Sequence, residues 1–331
     1  MAVSRKYVVG VPFCILRKSE TQKMFKYYLM VITATLLYSF QFIFSKLYQR
    51  RKGSSFFYSM IFSAISCLAT IPFLFVLNRG KVEFTWFSFT IALLYAIDVI
   101  ICSVFGAKIL SKANLSVYSL FLMLGGMILP FLYGLTIGEN FTALKAVSIV
   151  SVAVAMIFSL KKDEEKKLDD FTIFCFIVIF VTNGMTGVLT YMHQRSTLAI
   201  VSAGGFLILY NLCRFILSAA ILFGILVYGK NKNREVLMIR GADDTGKATT
   251  AKSEWMIAVS ASVGYAVMNG TAVLFTTITA KYIDAGIQST IITGGVMLLS
   301  TLSGLMFGEK PTKNTFFAVF FAVLGTVLIM I

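Results

Sequence analysis

Two charged side chains, Asp98 and Arg214, fall inside otherwise apolar stretches of this chain. At hydrocarbon depth such a charge costs about 3 kcal/mol or more unless it meets a partner or a water-filled cavity. Two assignments follow. Asp98 and Arg214 form a fixed ion pair, each offsetting the other's desolvation, or Asp98 takes a cation or proton while Arg214 takes a substrate carboxylate. Uncharged polar residues recur nearby at helical spacing. Tyr38, Gln41 and Ser45 share one face, as do Asn183, Gly187 and Tyr191, and Tyr265 and Asn269 with Thr276. Ser116 and Ser119 open another apolar stretch, and Gln288 and Ser289 open a further one. Such faces point into a bundle, either to hydrogen-bond between helices or to line a cavity. A few polar groups on apolar and aromatic walls suit a small, partly organic ligand. His193, beside Arg195 at the end of an apolar stretch, reads as an interfacial histidine rather than a proton carrier.

Other chemistries find no support. Cys14, Cys67, Cys102, Cys175 and Cys213 are scattered without C-x-x-C spacing, and one histidine cannot complete a local zinc site. They read as small buried hydrophobes. Residues 241–247 approach a phosphate-binding loop, but Ala248 stands where a hydroxyl should hold magnesium, and Asp243 and Asp244 would repel phosphate. There is no H-E-x-x-H, and Asp98 has no second aspartate to form an intramembrane pair. The expectation is a protein that is not an enzyme and carries no cofactor or metal.

The elements that must position these residues are helices. The chain is 58% hydrophobic and 14% charged over 331 residues, with mean hydropathy +0.84. A water-soluble domain of that length would need far more polar surface. A bilayer core about 30 Å thick needs roughly 20 apolar residues per helix. That ruler places spans near 25–47, 56–77, 86–108, 115–137, 141–160, 170–193, 201–228, 254–279, 285–307 and 314–331. Unpaired backbone groups are not tolerated in lipid, so these runs are helices rather than strands. Residues 1–24 read as a separate tail whose apolar run, 7–16, is too short to span; Met24-Phe25-Lys26 reads as an alternative natural start. The charged run 161–169 reads as a linker between halves, and 229–253 as a polar loop. The net charge of +15 lies in tails and connections, which fits anionic lipid headgroups and not nucleic acid.

The chain also repeats itself at an offset of about 170 residues. Lys112, Gly125 and Gly126 correspond to Lys281, Gly294 and Gly295, and Gly134-x-x-x-Gly138-Glu139 to Gly304-x-x-x-Gly308-Glu309. Small residues four apart let helices approach closely. Gly138 and Gly308 can end a helix, which sets Glu139 and Glu309 at the positive N-terminal end of the next one. Five crossings per half is an odd number, so the second copy enters the membrane inverted, a recurring basis of alternating access. The expected architecture is an all-α membrane protein of about ten transmembrane helices in two inverted five-helix repeats, 25–160 and 170–331.

The paired Gly-x-x-x-Gly-Glu segments in a chain of ten spans resemble the drug/metabolite transporter superfamily, EamA-like branch. The resemblance covers nearly the whole chain from about residue 25, and the ninth span departs from it in lacking a counterpart of Pro130. It implies a secondary transporter of the cell membrane that moves a small metabolite or amphiphilic solute, typically outwards, with a proton as a candidate coupling partner. It further implies a central cavity lined by the first four helices of each half, the fifth packing peripherally, and both termini in the cytoplasm. The distribution of Lys and Arg leans the other way, being denser on the side opposite the N-terminus. Cavity candidates on this basis are Tyr38, Gln41, Asp98, Ser119, Asn183, Tyr191, Arg214, Tyr265, Asn269 and Gln288. The alternative is a membrane-embedded receptor or lipid-modifying enzyme that transports nothing. Oligomeric state is left open.

Overall fold

A computed structural model describes residues 13–53, 55–110, 115–159, 170–198, 200–231, 251–306 and 313–329. Among the described residues the regular secondary structure is helical, in ten helices. These are α1 (Phe13–Lys52), α2 (Phe56–Leu77), α3 (Trp86–Leu110), α4 (Leu115–Thr136), α5 (Ala143–Ser159), α6 (Asp170–Gln194), α7 (Ala203–Asn231), α8 (Ala251–Thr279), α9 (Ala285–Met306) and α10 (Lys313–Leu328). Six of them, α1–α3 and α6–α8, are long and apolar enough to cross a membrane. The apolar runs on α4, α5, α9 and α10 are shorter. The 161–169 linker, most of the 229–253 loop including its 241–247 motif, Gly308 and Glu309 lie outside the described residues.

Helix starts follow local chemistry. Ser55, Thr85, Thr142 and Ser202 each accept, through the hydroxyl, the backbone N–H three residues on, at 3.4, 3.2, 3.2 and 3.2 Å. These are N-caps, which satisfy donors that the first helical turn leaves free. α1 differs from expectation: the helix begins at Phe13 rather than near 25, so part of the expected tail continues the same helix. Hydropathy locates the apolar core of a helix; backbone hydrogen bonding carries it past that core.

The helices pack mainly across the chain's midpoint. α1 lies against α8 and α9, while α6 lies against α3 and α4. α2 lies against α8, and α7 against α3; α2 also pairs with α7, α4 with α9, and α5 with α10. Close approach depends on small residues. A Cβ on Gly125 would strike the Phe180 carbonyl, and one on Gly184 would come within 2.6 Å of the Gly125 carbonyl, so α4 and α6 touch backbone to backbone. Gly295 faces Thr35 of α1, and Gly294 faces Thr326 of α10. The Ser148 hydroxyl donates to the Gly325 carbonyl at 2.6 Å, joining α5 to α10.

The outer surface is apolar. Leu29, Ile32, Leu36, Phe40 and Ile43 form an exposed stripe along α1, and Phe316, Phe317, Phe320, Val323 and Val327 form one along α10. In water, such continuous stripes would drive aggregation; against acyl chains they cost nothing. Replacing Gly125 by Val should destabilise the protein by about 1–3 kcal/mol through overpacking of the α4–α6 contact. Gly224→Ala, where a Cβ meets nothing within 4 Å, is the control. Apparent melting temperatures in detergent should fall for the first variant and hold or rise for the second.

Candidate functional site

α7 carries Tyr210 and Arg214 one helical turn apart, so both side chains face the same way. The Arg214 Nη1 donates to the Tyr210 hydroxyl at 3.2 Å. The Tyr265 phenol of α8 and the Cys67 thiol of α2 also lie within electrostatic reach of the guanidinium. The Tyr95 ring of α3 stacks on Tyr210 with centroids 4.4 Å apart, and it lies near Tyr38 of α1 as well as Arg214. Tyr38 donates to, or accepts from, Thr276 Oγ1 at 3.3 Å. The Thr276 carbonyl in turn accepts Gln288 Nε2 at 2.9 Å. Groups of α1, α2, α3, α7 and α8 thus gather in one polar, phenol-rich cluster around a guanidinium, here termed the chamber, and Gln288 of α9 adjoins it through Thr276. Tyr38, Tyr95, Arg214 and Tyr265 keep partial exposure there although protein surrounds them. Arg214 Nε, Gln41 Oε1 and Gln288 Oε1 are buried and make no hydrogen bond among the described residues.

Asp98 and Arg214 do not form the ion pair that was one of the two expectations. Asp98 neighbours Cys102, one turn along α3, and its Oδ2 is buried without a hydrogen-bond partner. Arg214 is flanked by groups of α2, α7 and α8. Equal depth in the chain does not bring two side chains together when their helices present different faces.

The end of the bundle that holds the α2–α3, α4–α5, α6–α7 and α8–α9 connections is tied by charge. α4 ends in a Schellman motif: Glu139 N–H donates to the Gly134 carbonyl at 2.9 Å, and Gly138 N–H to the Leu135 carbonyl at 3.2 Å. Gly138 has φ +86°, which an L side chain resists. Gly134 leaves room for the Glu139 carboxylate, which a Cβ would strike. The glycine motif therefore aims one carboxylate. It was expected at the N-terminus of the following helix, α5. Instead it receives the Ala285 N–H at 2.9 and 3.0 Å and caps α9. Arg195 Nη1 meets the same carboxylate at 2.5 Å. Its Nε and Nη2 donate to the Ala280 and Ile283 carbonyls at 2.8 and 2.7 Å. Lys145 pairs with Asp284 at 2.6 Å beside this junction. Glu83 Oε2 accepts the Ser202 N–H at 2.6 Å. The Ser202 backbone and side-chain hydrogen bonds, and then Lys81, hold the Glu83 carboxyl below its ordinary range.

His193 is fully buried rather than interfacial. Its ring stacks on Phe206, centroids 4.1 Å apart, with Phe87 parallel to it at 6.1 Å. Ser88 Oγ receives Thr85 Oγ1 at 2.8 Å and the Val201 N–H at 3.2 Å, and shares a hydrogen bond of 2.8 Å with His193 Nε2. On the other side of the ring the Gln194 carboxamide nitrogen lies 2.9 Å from His193 Nδ1. Ser88 and His193 are both fully buried, and the couple ties α3 to α6.

Among the residues proposed from sequence, the fold gathers Tyr38, Tyr265, Arg214 and Gln288. Gln41 and Asn269 are half-buried on the same helices, α1 and α8. Asn183 is taken up by an interhelical bond, Nδ2 donating to the Leu122 carbonyl at 2.6 Å. Tyr191 is buried beneath Arg195 at the charged end, ring to guanidinium 5.4 Å. The side chains of Ser116 and Ser119 lie outside the described residues. Tyr95 and Tyr210 were missed. The four-residue step from Tyr210 to Arg214 could have revealed one of them; Tyr95 needed the α3–α7 contact. Among the described residues no group of three or more His, Cys, Asp or Glu could hold a metal ion.

No family model and no curated protein matches the chain. A solved structure described only as "Crystal structure of protein" superposes with TM-score 0.67, at 16% identity, over 92% of this chain and 96% of its own. The ten-helix arrangement is thus a fold found elsewhere, shared over nearly its full length.

Two outcomes test the charged end. A double-mutant cycle on Glu139→Ala and Arg195→Ala should show a coupling above the roughly 1 kcal/mol ceiling of exposed pairs, because their side chains are 8% and 22% exposed. Glu83 titrates lower in the folded state, so its contribution is complete above its ordinary value of 4.5 and is lost as pH falls through the depressed one. Glu83→Gln should therefore flatten the acid limb of a melting-temperature profile.

Proposed function

We propose that this protein is a secondary active transporter that moves a small metabolite or amphiphilic solute across the cell membrane by alternating access, in the direction of export. The observation that carries this reading is the helix pairing. Exchanging α1–α5 with α6–α10 turns the α1–α8 contact into α6–α3, α1–α9 into α6–α4 and α2–α8 into α7–α3. The α2–α7, α4–α9 and α5–α10 contacts map onto themselves. With five helices per half, such an exchange supports inverted repeats, and two inverted halves around one site can trade conformations. α5 and α10 pack against each other and otherwise mainly against α9 and α4, and neither carries a residue of the chamber. The same halves and the paired glycine motifs support the likeness to the EamA-like drug/metabolite transporters.

On this reading the charged end, where Glu139, Arg195 and the Ala285 N–H meet, is the closed side of the pathway in this conformation. Asp98, with a buried oxygen that makes no hydrogen bond, is the candidate carrier of a coupling proton. No catalytic step is assigned.

The test is uptake into vesicles holding the purified full chain, after a thermal-shift screen of metabolites. At least one stabilising compound should accumulate faster with a pH gradient than without one. Asp98→Asn should abolish the gradient's effect and leave exchange of labelled for unlabelled solute intact. Gradient-driven accumulation by Asp98→Asn at the unmodified rate would remove Asp98 from coupling. No movement of any bound compound would favour a receptor.

A further inference from the structure

Arg195 at the charged end and Arg214 in the chamber differ in one respect. Arg195 has Glu139, whereas Arg214 has no carboxylate partner among the described residues, only a neutral phenol at 3.2 Å. Arginine stays protonated in proteins, and a guanidinium inside an apolar helix array needs a counter-charge. The described acids are committed or placed elsewhere. Glu139 binds Arg195, Asp284 binds Lys145, Glu83 binds Ser202, Asp98 neighbours Cys102 and is not among the groups around Arg214, and Asp170 and Glu254 lie in the first turns of α6 and α8.

Resting on the transporter reading, we infer that the solute itself supplies the missing charge: the chamber takes an organic monoanion, a carboxylate carried on a planar aromatic body. Three observations converge on that class. One cation balances one negative charge, so a dianion such as a phosphate ester would leave a surplus in a site that desolvates it. The guanidinium fork matches a carboxylate with two parallel hydrogen bonds, and its Nε is buried without a protein partner. The walls are rings: Tyr38, Tyr95, Tyr210 and Tyr265, with Phe62 edge-on to Tyr265 at 4.8 Å, supply faces and edges for a flat apolar body. The free carbonyl oxygens of Gln41 and Gln288 can accept from a polar substituent on that body.

The experiment measures thermal stabilisation of the purified full chain in detergent by three probes of matched size, 3-phenylpropionate, 3-phenylpropan-1-ol and 3-phenylpropylamine, and by ring-free propionate. The carboxylate with a ring should raise the melting temperature, the alcohol and amine should not, and propionate should do so more weakly. Arg214→Gln should lose the shift, and Arg214→Lys should keep part of it, because an ammonium retains the charge but not the fork. Tyr265→Leu should narrow the difference between phenylpropionate and propionate. Stabilisation by the amine or alcohol equal to that by the carboxylate overturns the assignment, as does a full shift in Arg214→Gln or no shift from phenylpropionate in the unmodified protein. Should Arg214→Gln not fold, the ranking of probes on the unmodified protein and the Lys variant decide. Binding without vesicle uptake leaves this assignment standing and sinks transport; uptake confined to cations does the reverse.

Discussion

A single carboxylate, that of Glu139, receives hydrogen bonds from two separate directions and thereby sets where four chain segments end and begin. It follows the last turn of α4, caps the first turn of α9, and fixes Arg195 at the end of α6, whose other donors hold the 280–283 carbonyls. Groups of this kind are strong because both partners are charged and partly shielded from water. They are also demanding, since removing one partner leaves the other uncompensated. Gly134 and Gly138 exist in this light as the conditions for aiming it: one clears space, the other supplies the left-handed turn.

With that end closed, the polar groups deeper in the bundle divide into two kinds. Most are satisfied locally. Ser and Thr hydroxyls donate to carbonyls one turn back, as at Thr35, Thr70 and Ser262, or tie helices, as Ser63 ties to Ser218 at 3.1 Å. His193 belongs to this class, enclosed between rings and bonded at both nitrogens. The chamber around Arg214 belongs to the other, because it concentrates hydroxyls and a guanidinium with buried atoms that the protein does not pair. Arg195 and Arg214 carry the same group. They differ in whether the fold brings an acid to it: Arg195 has Glu139, and Arg214 has no carboxylate among the described residues.

Much of the fold was legible before any coordinates. Runs of roughly twenty apolar residues mark helices wherever lipid forbids unpaired backbone, and the ten runs read from hydropathy coincide with the ten helices to within a few residues, α1 excepted. The extension of α1 back to Phe13 was not legible, because a helix does not end where its hydrophobicity does. In the candidate site, periodicity put Tyr38 and Thr276 on polar faces of α1 and α8, and the two side chains meet at 3.3 Å. Asn183 shows the limit of that reasoning: the same spacing serves an interhelical bond to the Leu122 carbonyl equally well.

The sequence by itself determined which residues are helical, which faces are polar, and that one arginine and one aspartate sit among apolar neighbours. These are properties of period, length and transfer free energy, all local to a segment. Only the tertiary structure decided that Asp98 and Arg214 stay apart, that Glu139 caps α9 rather than α5, and that Tyr95 joins Tyr210 beside the guanidinium. Each depends on the rotation of one helix about its axis relative to another, and that angle follows from side-chain packing between segments distant in the chain, such as Gly125 against Phe180.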